Sequence, residues 1–268
     1  MIKIFIEAQK KQTSECHFMD DYIDSVLGIS KEKYEIVPAN GWTNLRNLSS
    51  AFKLNTIQGF KNLIIFDADK PDNGGGFEKR KDEIITIIKE MGVEAELFLF
   101  PNNRDDGMFE DLLKNIMVHD NHERFFDCYC DYTSCLGDDY IHPNLKGEVF
   151  TYISSMKSLP NKVRRNLGSG DWQFTNKEYW NLESDYLLPL KSFILTCFSA
   201  GGVSAGKGFM PFHKYCSTDL NSGGSVFSTA VGSFFEGGHE ALPCTGYTAT
   251  LRENRTNGRR QELIYHAA

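Results

Sequence analysis

The chain has 268 residues, with 29 Lys and Arg against 36 Asp and Glu, and a formal net charge of −7 at pH 7. This length can bury a sizeable core without disulfide bonds or a structural metal ion. No apolar run approaches the roughly 20 residues that cross a membrane, and the N-terminus MIKIFIEAQKK lacks the features of a signal peptide. We therefore expect a cytoplasmic protein with reduced cysteines and no membrane association. The acidic balance excludes a general nucleic-acid coat.

The composition changes near residue 198. Residues 199–268 hold 11 of the 23 glycines and show no sustained helical or strand period. We expect residues 1–198 to form the folded domain and residues 199–268 to be a weakly ordered Gly/Ser-rich tail. Within the domain, the expected division is a core over 1–120 and a helical extension over 121–198.

Short apolar runs alternate with amphipathic segments along the first 198 residues. Runs of strand length predict buried strands at 2–7, 34–39, 62–69 and 95–101. Helical spacing of apolar residues predicts helices at 16–27, 44–55, 76–92, 107–117, 122–136, 145–156 and 186–198. This alternation predicts an α/β fold, with a Rossmann-like parallel sheet flanked by helices on both faces.

Acidic residues follow three of the predicted strands. Glu7 ends the first strand, Asp67 and Asp69 end the third, and an acidic segment, 105–111, follows the fourth. Strand alternation would point Asp67 and Asp69 the same way, and ligands of open α/β sheets bind at the carboxyl ends of strands. Hard oxygen donors without His or Cys favour Mg²⁺ or Mn²⁺. The alternative is that these acids are solvated and cap helices.

Three stretches of the sequence resemble the Toprim fold. They are FIEA at 5–8, IIFDADKPDNGGG at 64–76 and FLFPNNRDDGMFEDLL at 98–113. They are most similar to an uncharacterised Toprim-like family related to the nuclease domain of the OLD (overcoming lysogenization defect) proteins. LKGEVFTYI at 145–153 and LLPLKSFI at 187–194 extend this resemblance over the whole expected domain.

The resemblance assigns roles to the acids of the first and third strands. Glu7 would act as a catalytic acid or base, or as a metal ligand, and Asp67 and Asp69 would bind Mg²⁺. The family's first motif usually reads Glu-Gly followed closely by an Asp. In this chain Ala8 follows Glu7, and the second acid of the motif is either Glu15 or missing.

The later motifs supply the remaining candidates. Glu110 corresponds to the extra acid of the OLD-type nuclease branch and would be a metal ligand, with Asp106 nearby as another. Lys146 is the candidate for the late lysine of that branch, which would stabilise charge on a phosphate.

The resemblance implies a Mg²⁺- or Mn²⁺-dependent nuclease that hydrolyses phosphodiester bonds of nucleic acid, in DNA repair or in defence against phage. Full OLD proteins carry an ATPase module, and this sequence shows none, so the resemblance leaves open a separate ATPase partner. The alternative is a catalytically inactive Toprim-like binding module that acts with a partner protein. An assay for metal-dependent cleavage separates the two hypotheses.

Overall fold

The computed structural model describes residues 1–199. The predicted tail, from residue 200 onward, lies outside the described residues. No helix within the described range is long and apolar enough to span a membrane.

Four parallel strands form one sheet in the order β2-β1-β3-β4. The strands are β1 (Ile2–Ile6), β2 (Tyr34–Pro38), β3 (Asn62–Asp67) and β4 (Glu96–Phe100). β1 and β3 are the two central strands, and Ile6 pairs with Ile65 at their carboxyl ends. The predicted parallel α/β architecture is confirmed, and the residues that follow β1 and β3 lie side by side.

Eight α-helices lie within residues 1–199. They are α1 (Ser14–Asp21), α2 (Ser49–Ile57), α3 (Phe77–Met91), α4 (Phe109–Ile116), α5 (Glu123–Cys135), α6 (Leu145–Ser155), α7 (Asn161–Arg165) and α8 (Leu188–Ser199). The segment predicted as a helix at 16–27 begins earlier, because the Thr13 side chain caps α1 by accepting from the Cys16 N–H at 3.4 Å. It continues as a π-helical turn, Tyr22–Val26. The helix predicted at 44–55 is a 3₁₀ segment, Trp42–Leu48, followed by α2.

Alternate residues of the central strands pack into two separate hydrophobic clusters. Phe5 and Ile64 pack in the cluster that includes buried residues of α2 and α3. Ile4 and Ile65 pack in the cluster that includes buried residues of α1, α4, α6 and α8. Because both faces of the sheet are covered, the strands appear in the sequence as nearly continuous apolar runs.

The third strand ends earlier than its apolar run predicts. β3 stops at Asp67, and the Ala68 N–H donates to the Phe100 carbonyl at 3.1 Å. Asp69 then has φ +60° and forms an isolated bridge with Gly107. This left-handed conformation breaks the strand alternation. The prediction that Asp67 and Asp69 point the same way is therefore wrong.

Candidate functional site

A cleft of about 440 Å³ opens at the carboxyl ends of β1 and β3. Its remaining walls come from the residues that begin α1, from α6 and from the loop at 167–172. The charged side chains that line it are Glu7, Lys10, Glu15, Asp67 and Lys146. The structure thus brings three of the predicted site residues to one cleft and adds Glu15, which the sequence left as an open alternative.

Glu7 is held against the neighbouring strand. Its Oε2 accepts a hydrogen bond from the Asp67 N–H at 3.2 Å, and the backbone N–H of Trp42 also acts to lower the pKa of Glu7. Burial raises the pKa of Glu7 and the charge of Asp69 raises it further, although the two N–H donors and the charge of Arg80 oppose the rise. Glu7 is therefore a fixed carboxylate that holds a proton more readily than an exposed glutamate.

Asp67 is the most strongly perturbed acid of the cleft. Its Oδ1 accepts a hydrogen bond from the Phe109 N–H at the start of α4, at 2.8 Å. Its pKa is well above the ordinary value, first because of burial and then because of the charges of Glu7, Glu110 and Glu15. The cleft therefore concentrates negative charge beyond what its own hydrogen bonds stabilise.

Glu110 and Lys146 form an ion pair between α4 and α6. Lys146 Nζ lies 3.4 Å from Glu110 Oε1, and the side chains are 62% and 7% exposed, respectively. Burial tends to lower the pKa of Lys146, but the charges of Glu110, Glu15 and Asp67 raise it overall. The exposed ammonium of Lys146 thus faces several acids.

Asp69 is not among the residues that line the cleft, and its carboxylate is bound to a guanidinium. Asp69 Oδ2 accepts from Arg80 Nη2 at 2.7 Å. Arg80 Nη1 donates to Glu83 at 2.9 Å. The sequence analysis did not identify Arg80. The feature of the sequence that could have identified it is its position on the buried stripe of α3. Arg80, Ile84, Ile87 and Met91 are spaced by four, three and four residues and are all buried.

Asp106 is also bound elsewhere. Its Oδ1 accepts from the Phe77 N–H at 2.6 Å, and it thereby caps α3, whose own N-cap residue Gly76 has no side chain to do so. Asp111 similarly accepts from the Met108 N–H at 2.8 Å at the start of α4. Asp106 and Asp111 therefore cap helices, as in the alternative interpretation of the sequence.

The loop at 167–172, which the sequence analysis did not assign, packs directly on the start of α1. Gly170 has φ +80°, and a Cβ atom there would lie 2.2 Å from the Ser14 nitrogen. The Trp172 Nε1–H donates to the Leu167 carbonyl at 3.0 Å and closes the loop on itself. Only a glycine allows this wall of the cleft to approach α1 so closely.

The donor chemistry of the cleft fits a hard divalent cation. Glu7 and Asp67 in the cleft and Glu110 behind its lining offer only carboxylate oxygens, and the repulsion of Asp67 by the other two is the kind that a bound cation relieves. Among residues 1–199, however, no three Asp, Glu, His or Cys side chains already stand in an arrangement that encloses a metal ion. Metal binding would therefore require movement of side chains at this cleft.

Comparison with known proteins adds no relative. No protein-family model, curated protein or solved structure matches this chain. Inference about function therefore depends on the geometry, burial and charge of the cleft.

Proposed function

We propose that this chain is a Toprim-type, Mg²⁺-dependent nuclease that hydrolyses phosphodiester bonds. The observation that carries the proposal is the meeting of Glu7 and Asp67 at the carboxyl ends of the two central strands, in a cleft that also contains the Lys146 ammonium. The charge of Glu110 adds to this cluster. Two partly buried carboxylates beside the buried Glu110 have no evident structural purpose, since their charge costs folding free energy unless a cation or proton compensates it.

Glu7, Asp67 and Glu110 are the proposed ligands, with Glu15 close enough to act on the charge of Asp67. When bound, Mg²⁺ would supply Lewis-acid stabilisation of a phosphate oxygen and lower the pKa of a bound water. The hydrogen bond from the Asp67 N–H fixes one oxygen of the Glu7 carboxylate, and the other acids would move toward the ion that it helps to bind.

Glu7 and Lys146 would handle protons and charge. Glu7, whose pKa is raised by burial in the metal-free protein, would act either as an acid or base or as a metal ligand, as the resemblance implies. Lys146 extends from α6 with an exposed side chain, and its ammonium would neutralise the charge that develops on the phosphate.

The rim of the cleft suits a nucleic-acid backbone. Lys10, Gln12 and Thr13 line it beside the acids and provide a positive charge and polar side chains. Phosphate and sugar contacts of this type position a nucleic acid without reading its sequence. We propose a role in DNA repair or phage defence, with a separate ATPase partner, as the resemblance to the OLD-type proteins implies.

A cleavage assay tests this proposal. The full chain is incubated with supercoiled DNA, linear DNA and RNA in Mg²⁺, in Mn²⁺ and in EDTA. We expect cleavage only with metal, and a loss of at least about 100-fold in Asp67→Asn, the scale seen when a group that stabilises transition-state charge is removed. Asp72→Asn is the matched control, because Asp72 is an exposed acid five residues further along, outside the cleft.

Two outcomes contradict the proposal. Absence of cleavage by the wild type in either metal, with nucleic acid still bound, supports the inactive binding module instead. Equal cleavage by the wild type and Asp67→Asn places the chemistry outside this cleft.

A further inference from the structure

We propose that Arg80 is a built-in cation of this site: it binds Asp69 in place of a metal ion, and the centre therefore takes a single divalent ion. This inference rests on the proposed function, because it concerns the same site. It departs from the resemblance, which makes Asp69 a metal ligand.

Arg80 is set up as a fixed charge. Its side chain is only 5% exposed, and it bonds to Asp69 Oδ2 at 2.7 Å and to Glu83 Oε2 at 2.9 Å. The guanidinium carbon lies 4.4 Å from the centre of the Trp42 ring, which is a cation–π contact. Nε is buried without a hydrogen-bond partner among the described residues. A guanidinium enclosed in this way is shielded from solvent, so water cannot replace its carboxylate partners.

Asp69 is held in place from the backbone side as well. The Gly107 N–H donates to the Asp69 carbonyl at 2.9 Å. A Cβ atom on Gly75 would lie 2.3 Å from the Asp69 Cβ, so the following loop packs tightly on this residue. Turning the carboxylate toward a metal would leave Arg80 with Glu83 alone, and an uncompensated buried charge is strongly unfavourable.

The guanidinium charge of Arg80 also influences Glu7, beside which the proposed metal ion would bind. Trp42 adjoins both, because its ring packs against Arg80 and its backbone N–H acts to lower the pKa of Glu7. The positive charge of Arg80 opposes the rise in the pKa of Glu7. The positive charge of Arg80 would repel a second divalent ion beside Glu7 and Asp69. Arg80 therefore neutralises the charge that such an ion would otherwise neutralise.

Calorimetric titration of the metal-free full chain with Mn²⁺ tests the proposal. We expect one Mn²⁺ per wild-type chain. Asp69→Asn should bind Mn²⁺ within about twofold of the wild-type affinity, because its amide oxygen can still accept from Arg80. Asp67→Asn should bind at least about tenfold more weakly than Asp69→Asn, since it loses a ligand; about tenfold is the smallest loss typical of changes at a metal site and its surroundings.

A melting experiment in EDTA tests the Arg80–Asp69 pair without any metal. Arg80→Ala and Asp69→Ala, each of which removes the contact, are compared with the double variant and the wild type. If the pair exists, the double variant loses less melting temperature than the sum of the two single losses. Additive losses would overturn the proposal.

The titration has further decisive outcomes. Two Mn²⁺ ions per wild-type chain, or an Asp69→Asn variant weakened as much as Asp67→Asn, overturns the proposal even if one variant fails to fold. No Mn²⁺ binding to the wild type overturns both the proposal and the metal centre. One bound ion without nucleic-acid cleavage overturns the proposed function alone.

Discussion

The backbone N–H of Asp67 donates to Glu7 Oε2 over 3.2 Å, and a side chain thereby joins the carboxyl ends of β1 and β3. The two strands pair in parallel up to Ile6 and Ile65, so the Glu7 carboxylate continues the contact where the backbone ladder ends. This bond fixes one acid beside another. The repulsion between the two carboxylates therefore lowers the free energy of unfolding, and unfolding experiments can measure this effect.

Asp67→Asn should stabilise the metal-free protein at neutral pH. Because folding raises the pKa of Asp67 above its unfolded value, the folded state binds the proton more tightly. The stability that this provides is present below the unfolded pKa of about 3.9 and is lost as pH rises through the folded pKa. Asn cannot ionise, and its Oδ1 can still accept from the Phe109 N–H.

Urea unfolding in EDTA measures this effect. We expect Asp67→Asn to exceed the wild type by about 1 kcal/mol or more at pH 8, a typical size for one substitution, and the difference to shrink toward pH 4. Asp72→Asn serves as the exposed control and should differ little at either pH. A variant less stable than the wild type at pH 8 would contradict the inference that burial and neighbouring acids make the ionised Asp67 unfavourable.

Asp106 should behave as a helix cap. Asp106→Ala removes the acceptor of the Phe77 N–H at the start of α3 and should cost about 1 kcal/mol of stability. Asp106→Asn keeps an acceptor and should recover most of this loss. Neither variant should change Mn²⁺ affinity by more than about twofold, because the carboxylate is engaged away from the cleft. A large loss of affinity in both variants would show that Asp106 is a ligand, as the resemblance implies.

The wall of the cleft at Gly170 offers a matched pair of substitutions. Gly170→Ala places a Cβ atom 2.2 Å from the Ser14 nitrogen at a φ of +80°, so the loop or α1 must move. We expect a loss of about 1–3 kcal/mol, as for other overpacked sites, together with weaker Mn²⁺ binding and cleavage. Gly168→Ala meets nothing within 4 Å and has no left-handed backbone, so urea unfolding should find it within about 0.5 kcal/mol of the wild type. Equal effects of the two substitutions would contradict the inferred close packing.

Much of the fold could be predicted from local sequence. The apolar runs that became β1 to β4 are short and buried on both faces, and the runs between them have helical spacing, so a parallel α/β sheet follows from the pattern alone. Glu7 and Asp67 met as expected, because residues that end adjacent parallel strands share an edge. Glu15 could be named but not placed, since its position depends on where α1 packs.

The partners of Asp69 and Asp106 could not be predicted in the same way. Strand alternation fails at Asp69, because β3 ends at Asp67, two residues earlier than predicted, and Asp69 itself has a left-handed backbone. The partner of Asp69 is Arg80, eleven residues later, and the run of charges around it looks like a solvated helix face. Only the helical register with Ile84 and Ile87 shows that one of these charges is buried. Non-local packing of α3 on the sheet therefore decided the surroundings of both acids.

Two ion pairs between α4 and α6 provide the last prediction. Lys146 lies 3.4 Å from Glu110, which is buried, while Lys114 on α4 lies 3.1 Å from Glu148 on α6. The helices and residue types are the same, but only the first pair adjoins the cleft acids. Lys146→Ala should therefore reduce nucleic-acid cleavage by about tenfold through loss of charge stabilisation at the phosphate, whereas Lys114→Ala should leave the rate unchanged.

Metal binding separates a role in charge stabilisation from a role in structure. Lys146→Ala removes the cation that competes for Glu110, so its Mn²⁺ affinity should equal or exceed that of the wild type while cleavage falls. In EDTA the same variant leaves Glu110 buried without its counter-charge, and its melting temperature should fall below that of Lys114→Ala. Added Mn²⁺ should recover most of this loss, because an ion that binds only the folded state stabilises it. If Lys146→Ala loses Mn²⁺ affinity and cleavage together, Lys146 organises the metal site, and the role proposed for it at the phosphate is wrong.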